Sequence, residues 1–231
     1  MKKKGTHTFF KIEYLIVSIL IVWIGYFMYQ YKGSDNVSLA ENAGSKSEID
    51  FLPPPNALDH YKWKSNSPYT VVNYFSMDCP NCREVDATEE KYKTIYEKSF
   101  SLIYRHSPLP SQPLSGEKAV IAECVYQQSG DEGMFAFISD SYTNYRSFTK
   151  DNKWVIDIAK KYVQDGSSLD NCVSGSEMKS FINSKKIEAV SQGVQGTPTI
   201  GVFKDDVLVF RVTIGGRGVK RIMDYLVSEI K

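Results

Sequence analysis

Charge of one sign is what this sequence most lacks. Its 28 Lys+Arg stand against 27 Asp+Glu, a net +1 over 231 residues, with no basic cluster beyond the extreme N-terminus. Nucleic acid is thereby excluded as a main partner, because phosphate binding needs a concentrated positive face. Cysteine is scarce too: four residues in a chain of this length cannot staple together a fold that lacks a core. The core must come from elsewhere, and 42% hydrophobic with 13% aromatic residues is enough to supply one, which rules out wholesale disorder. Three histidines, no second Cys-x-x-Cys and no His-x-x-x-His leave little from which to build a metal site. No internal repeat is evident.

One apolar run is present. Tyr14 to Tyr31 (YLIVSILIVWIGYFMYQY) are 18 consecutive uncharged residues, close to the roughly 20 that a helix needs to cross a bilayer. Trp23, Tyr26, Tyr29 and Tyr31 crowd its downstream end, where aromatic rings favour the interface. Lys2, Lys3, Lys4 and Lys11 precede it, whereas only Lys32 and Lys46 follow closely. This bias predicts residues 1–13 in the cytoplasm, 14–31 as a transmembrane anchor, and the rest exported, periplasmic or extracellular. The alternative is a cleaved export signal with Ser38-Leu39-Ala40 as its small-x-small site, although that site lies well past the run. Either way all four cysteines face an oxidising compartment, where disulfides persist. Residues 32–57, polar and aperiodic with Pro53-Pro54-Pro55 near the end, read as a linker to a domain over 58–231.

Within that domain Tyr69-Thr70-Val71-Val72-Asn73-Tyr74-Phe75 reads as a buried strand. It runs into Cys79-Pro80-Asn81-Cys82 and a helical pattern, then a second strand, Leu102 to Arg105. Residues 115–192 read as helical throughout, with Ser115 and Asp151 as N-caps. Strands return at Thr199–Phe203 and Val207–Val212, flanking an Asp205-Asp206 turn, and a helix from about Val219 to Ile230 closes the chain. The order is β-α-β, a helical block, then β-β-α.

A strand feeding a helix that opens on Cys-x-x-Cys has a specific consequence. With Cys79 as N-cap, its sulfur meets the free N–H groups and the positive end of the helix dipole, which favours thiolate over thiol. Pro80 then falls at the first helical position, where its missing N–H matters least. Cys82, three positions on, is near enough to close a small disulfide ring. Lowering a thiol from ~8.5 to ~7 takes about 2 kcal/mol, within reach of a helix terminus and a local hydrogen bond. Two other readings stay open: a zinc site recruiting Cys124, Cys172 and His106 singly, and a buried structural disulfide. Gly196-Thr197-Pro198-Thr199, opening a strand, means little in isolation.

Together VVNYFSMDCPNC, YRHSPLPSQPLSGEKAVIAECVYQQ and GVQGTPTIGVF resemble the DsbA-like branch of the thioredoxin superfamily, over about residues 65 to 231. The resemblance implies an α/β thioredoxin fold with a helical insertion at 115–192, here preceded by one transmembrane helix. It implies that Cys79 is the attacking, solvent-facing cysteine and Cys82 the resolving one. Pro198 would be a cis-proline packed against the disulfide, and Thr197 would orient substrate backbone. Pro80 and Asn81 form the active-site loop. With Cys79 and Cys82 paired, Cys124 and Cys172 would form a structural disulfide of the kind similar proteins often carry. The activity implied is thiol–disulfide exchange on exported cysteine-containing proteins, with disulfide formation favoured over reduction or isomerisation, recharging by a quinone-linked membrane partner, and no metal or other cofactor. A non-catalytic metal-binding or client-holding module is the rival.

The chain departs from the family pattern at two places, and a third residue bears on the same thiolate. Asn81 stands where the strong oxidase carries His, Asn73 where a buried acid often lies, and Asp78 adjoins Cys79, where negative charge disfavours thiolate. These departures predict a couple less oxidising than that of the strong oxidase. His106 is a lone histidine of no assigned role.

Overall fold

In the computed structural model, residues 51–112, 114–145, 152–213 and 216–229 are described. The anchor expected at 14–31, the segment 1–13, most of the linker and the cap Asp151 lie outside them. No helix among the described residues is long and apolar enough to cross a membrane.

Among the described residues eleven elements follow one another: β1 (His60–Trp63), β2 (Tyr69–Phe75), α1 (Pro80–Ser99), β3 (Ser101–His106), α2 (Ser115–Thr143), α3 (Lys153–Ala159), α4 (Gly166–Ser174), α5 (Ser176–Ser191), β4 (Thr199–Lys204), β5 (Val207–Thr213) and α6 (Gly216–Glu229). The strands form one sheet in the order β1-β3-β2-β4-β5. Strand β2, in the middle, pairs parallel with β3 and antiparallel with β4. The β2-α1-β3 crossover and the β4-β5 hairpin match the sequence pattern. Asp205 and Asp206 both take positive φ (48° and 62°), the backbone that a two-residue hairpin turn demands.

Period-two alternation sends Val71 and Phe75, Leu102 and Tyr104, and Ile200 and Val202 into the larger core with α1 and α2. Val72, Tyr74, Ile103 and Phe203 point to the other face, where Ala189 of α5 meets them. Leu52, 1% exposed, belongs to that second cluster. Arg105 binds the same segment, donating to the Pro53 and Pro54 carbonyls and to both Asp59 oxygens. The end of the expected linker is therefore not free tether. Residues 51–57 lie on the domain, because an apolar side chain and a buried guanidinium hold them there.

Three further corrections concern the elements. β1 was not foreseen; its four residues show no β-branched run and are placed by antiparallel pairing with β3 and by the Trp63 indole donating to the Phe100 carbonyl at 2.8 Å. The described part of the block 115–192 is helical as expected but broken, first at Gly130, where φ is 63° and ψ −165° inside α2. The chain leaves helix after Thr143 and again after Ala159, restarting where the Asp165 carboxylate caps α4 by accepting from Ser167 N–H. Ser115 is the first helical residue and not the N-cap; Leu114 occupies that place, and the Ser115 hydroxyl donates instead to the Gln112 carbonyl at 2.7 Å.

Candidate active site

The sheet register brings the two remote motifs together. Tyr74, near the end of β2, pairs with Thr199 at the start of β4. Antiparallel pairing therefore puts the residues after β2 beside those before β4, at one end of the sheet. There Cys79 is the N-cap of α1 and Pro80 its first residue. The Cys79 sulfur accepts from the Cys82 N–H at 3.3 Å, satisfying one of the helix's free donors. Across the gap its thiol donates to the Thr197 carbonyl oxygen at 3.1 Å. The Thr197–Pro198 peptide is cis.

The two sulfurs are unbonded and have opposite acidities. Cys79 is pulled down to about 6: the Cys82 thiol donates to it, burial opposes, and the N–H groups of Cys82 and Asn81 assist. Cys82 is pushed well above an ordinary thiol, first by burial, then by its bond to Cys79 and that sulfur's charge. Cys79 is not openly solvent-facing, however. It is 4% exposed against 2% for Cys82, because its sulfur turns toward Thr197 and the helix N–H groups. Pro80 and Asn81 are exposed and form, with Arg83, Glu84, Ser139 and Tyr142, part of the wall of an open cleft of about 720 Å³. A cavity of about 740 Å³ elsewhere, under Pro108–Pro110 and α5, contains neither of these cysteines.

Cys124 of α2 and Cys172 of α4 are joined in a disulfide spanning 48 residues. The zinc set that would recruit both, with His106, is accordingly not assembled. His106 lies against the buried Glu123 carboxylate (3.3 Å), which His60 also contacts at 3.1 Å. Among the described residues no group of three His, Cys, Asp or Glu side chains is placed to hold a metal ion.

Asn73 is fully buried, and neither its side-chain oxygen nor its nitrogen has a hydrogen-bond partner. Acids do lie beneath the motif, from another source. Cys82, Val85, Asp86 and Glu89 share the buried face of α1. Lys62 of β1, its side chain 3% exposed, reaches Asp86 at 2.7 Å and Glu89 at 3.0 Å. Burial pushes Glu89 up to about 7 against the pull of Lys62. Sequence reasoning missed this cluster. The i, i+4, i+7 spacing of Cys82, Asp86 and Glu89 was a usable signal, whereas Lys62 depended on a strand not recognised.

Residues 59–207 match the thioredoxin family. The chain belongs to that family. The fold of this thioredoxin-family protein is also similar to three solved structures. Oxidised BdbD from Bacillus subtilis gives a TM-score of 0.61 at 16% identity, over 76% of this chain and 96% of that one. Wolbachia pipientis α-DsbA1 gives 0.60 at 16%, over 80% and 98%. Pseudomonas aeruginosa DsbA2 gives 0.57 at 18%, over 76% and 98%. No curated protein matches the chain in sequence.

Proposed function

We propose that this thioredoxin-family chain is a membrane-anchored protein thiol–disulfide oxidoreductase that forms disulfides in exported proteins. The observation that carries the reading is the Cys79 sulfur at the N-cap of α1, held by Cys82 N–H at 3.3 Å, with the second sulfur one turn away and pushed in the opposite direction. The structural neighbours share the fold, and the chemistry lies in the site.

In the oxidising direction a substrate thiolate attacks Cys79 of the closed Cys79–Cys82 disulfide. The Cys79–substrate bond forms, the Cys79–Cys82 bond breaks, and Cys82 leaves as a thiolate that takes up a proton, as its raised pKa favours. A second substrate thiolate then attacks the substrate sulfur of the mixed disulfide. The substrate disulfide forms and Cys79 leaves as thiolate; a leaving group near 6 departs readily at neutral pH. The protein ends reduced by two electrons. A quinone-linked membrane partner would take them, and the segment 14–31 would keep the two close. Pro198 and Thr197, against the reacting sulfur, would orient the substrate backbone. A Cys79 near 6 supports an oxidant milder than the strong oxidase, in line with Asn81 and Asn73.

The test is the Cys79–Cys82 potential against glutathione, with oxidation of a reduced unfolded protein beside it. Equilibration far less negative than about −270 mV, with C79S inactive, fits the oxidase. A value near that one means a reductant. Tight stoichiometric zinc in the reduced protein with no exchange means the metal-binding rival.

A further inference from the structure

Asp78 immediately precedes Cys79, and an uncompensated carboxylate there opposes thiolate formation. The Cys79 sulfur nevertheless sits on the helix N–H groups, and a residue of the helical insertion reaches the Asp78 carboxylate. Lys118, in the first turns of α2, places its ammonium on the Asp78 carboxylate. The pair is enclosed, with side-chain exposures of 3% for Lys118 and 13% for Asp78. The ammonium also lies 5.5 Å from the Tyr145 ring centre and 5.3 Å from that of Trp154, so it is fixed over two π faces as well as by its counter-ion. Tyr145 also faces the Asp78 carboxylate, and Arg83 of α1 stacks over its ring at 4.8 Å; Cys79 follows Asp78 in the chain. A buried lysine with a single acid partner is not explained by stability alone, since burying such a pair is near neutral against apolar packing.

We propose that Lys118 is a positioning residue for the reacting sulfur: by neutralising Asp78 it keeps the Cys79 thiolate available and so sets how oxidising the Cys79–Cys82 couple is. The inference rests on the oxidoreductase reading and deepens it. It assigns the insertion an electrostatic role in the motif, beyond covering it.

Four forms of the full chain test it: wild type, K118M, D78N and D78N/K118M. Each is read by thiolate absorbance against pH and by equilibration with glutathione. In K118M the bare carboxylate raises the Cys79 midpoint by about one pH unit, a tenfold loss of thiolate below it. The glutathione equilibrium moves about tenfold toward the disulfide, ~30 mV more negative. D78N shifts both the opposite way, and the double variant returns to within about threefold of wild type. Should K118M not fold, D78N and D78N/K118M, which lack the buried acid, must still differ about tenfold. Equal midpoints in those two, or K118M titrating like wild type, overturn the assignment. A wild-type couple that does not exchange with glutathione overturns the oxidoreductase reading instead, while the thiolate titration still decides the role of Lys118.

Discussion

Replacing Cys82 by alanine separates the two sources of Cys79 acidity. The Cys79 midpoint lies near 6 against an ordinary 9.0, a thousandfold shift equivalent to about 4 kcal/mol. C82A keeps the backbone N–H at position 82, hence the 3.3 Å bond to the sulfur and the helix terminus behind it. It removes the thiol, which contributes most to the lowering. A hydrogen bond to a charged group is worth about 1.5–3 kcal/mol, or roughly one to two pH units. The variant should therefore titrate between about 7 and 8. At pH 7 the thiolate fraction falls from about nine-tenths to between about a tenth and a half. Absorbance of the reduced protein at 240 nm against pH reads this directly, with the alkylation rate at pH 7 as a second measure. A wild-type midpoint at or above ~8.5 would refute the electrostatic argument outright. A C82A midpoint unchanged from wild type would assign the stabilisation to the backbone N–H groups, and remove the resolving cysteine from it.

Two other outcomes are expected. Removing the Cys124–Cys172 bridge with C124A/C172A reopens a 48-residue loop, worth up to ~4 kcal/mol, so thermal unfolding by circular dichroism should fall by up to roughly 10–15 °C. The Cys79 midpoint should stay put; a shift there would make the bridge a second redox element and not a staple. Glu123 gives a pH dependence. Burial alone would raise it, but the His60 hydrogen bond and the nearby charge of His60 and His106 bring it down to about 2 from 4.5. A depressed acid stabilises the fold above the unfolded value and loses that contribution as pH falls through the folded one, here between 4.5 and 2. The loss is on the order of 3 kcal/mol. Denaturant unfolding of wild type and E123Q across that window should show the wild type losing stability more steeply; parallel curves would contradict the clamp.

What could be read from the sequence follows the range of the interactions. The N-cap at Cys79 was legible because strand, Cys-Pro and helix are contiguous, and local rules fix a cap within four residues. The meeting of Cys79 with Thr197, 118 residues on, came from resemblance and acquires its physical reason only in the Tyr74–Thr199 register. The docking of residues 51–57 was not legible, because three prolines look alike in a tether and on a surface until Arg105 is placed beneath them. Asp78 shows the limit most clearly. Read along the chain, its charge opposes the thiolate, and only the fold brings Lys118 from forty residues away to cancel it.

Proton handling at Cys82 follows the same logic. In the proposed exchange Cys82 leaves as a thiolate although its site strongly favours the thiol, so a proton is taken up there in each turnover. Asn73 is an amide and cannot carry it. Asp86 and Glu89 lie one and two turns along the same buried face of α1, and Lys62 holds both. Burial alone would keep Glu89 protonated through the neutral range, and the ammonium brings it back to about 7. Lys62, carried by a strand that the sequence hardly announces, thus offsets part of what burial does to the Glu89 carboxyl.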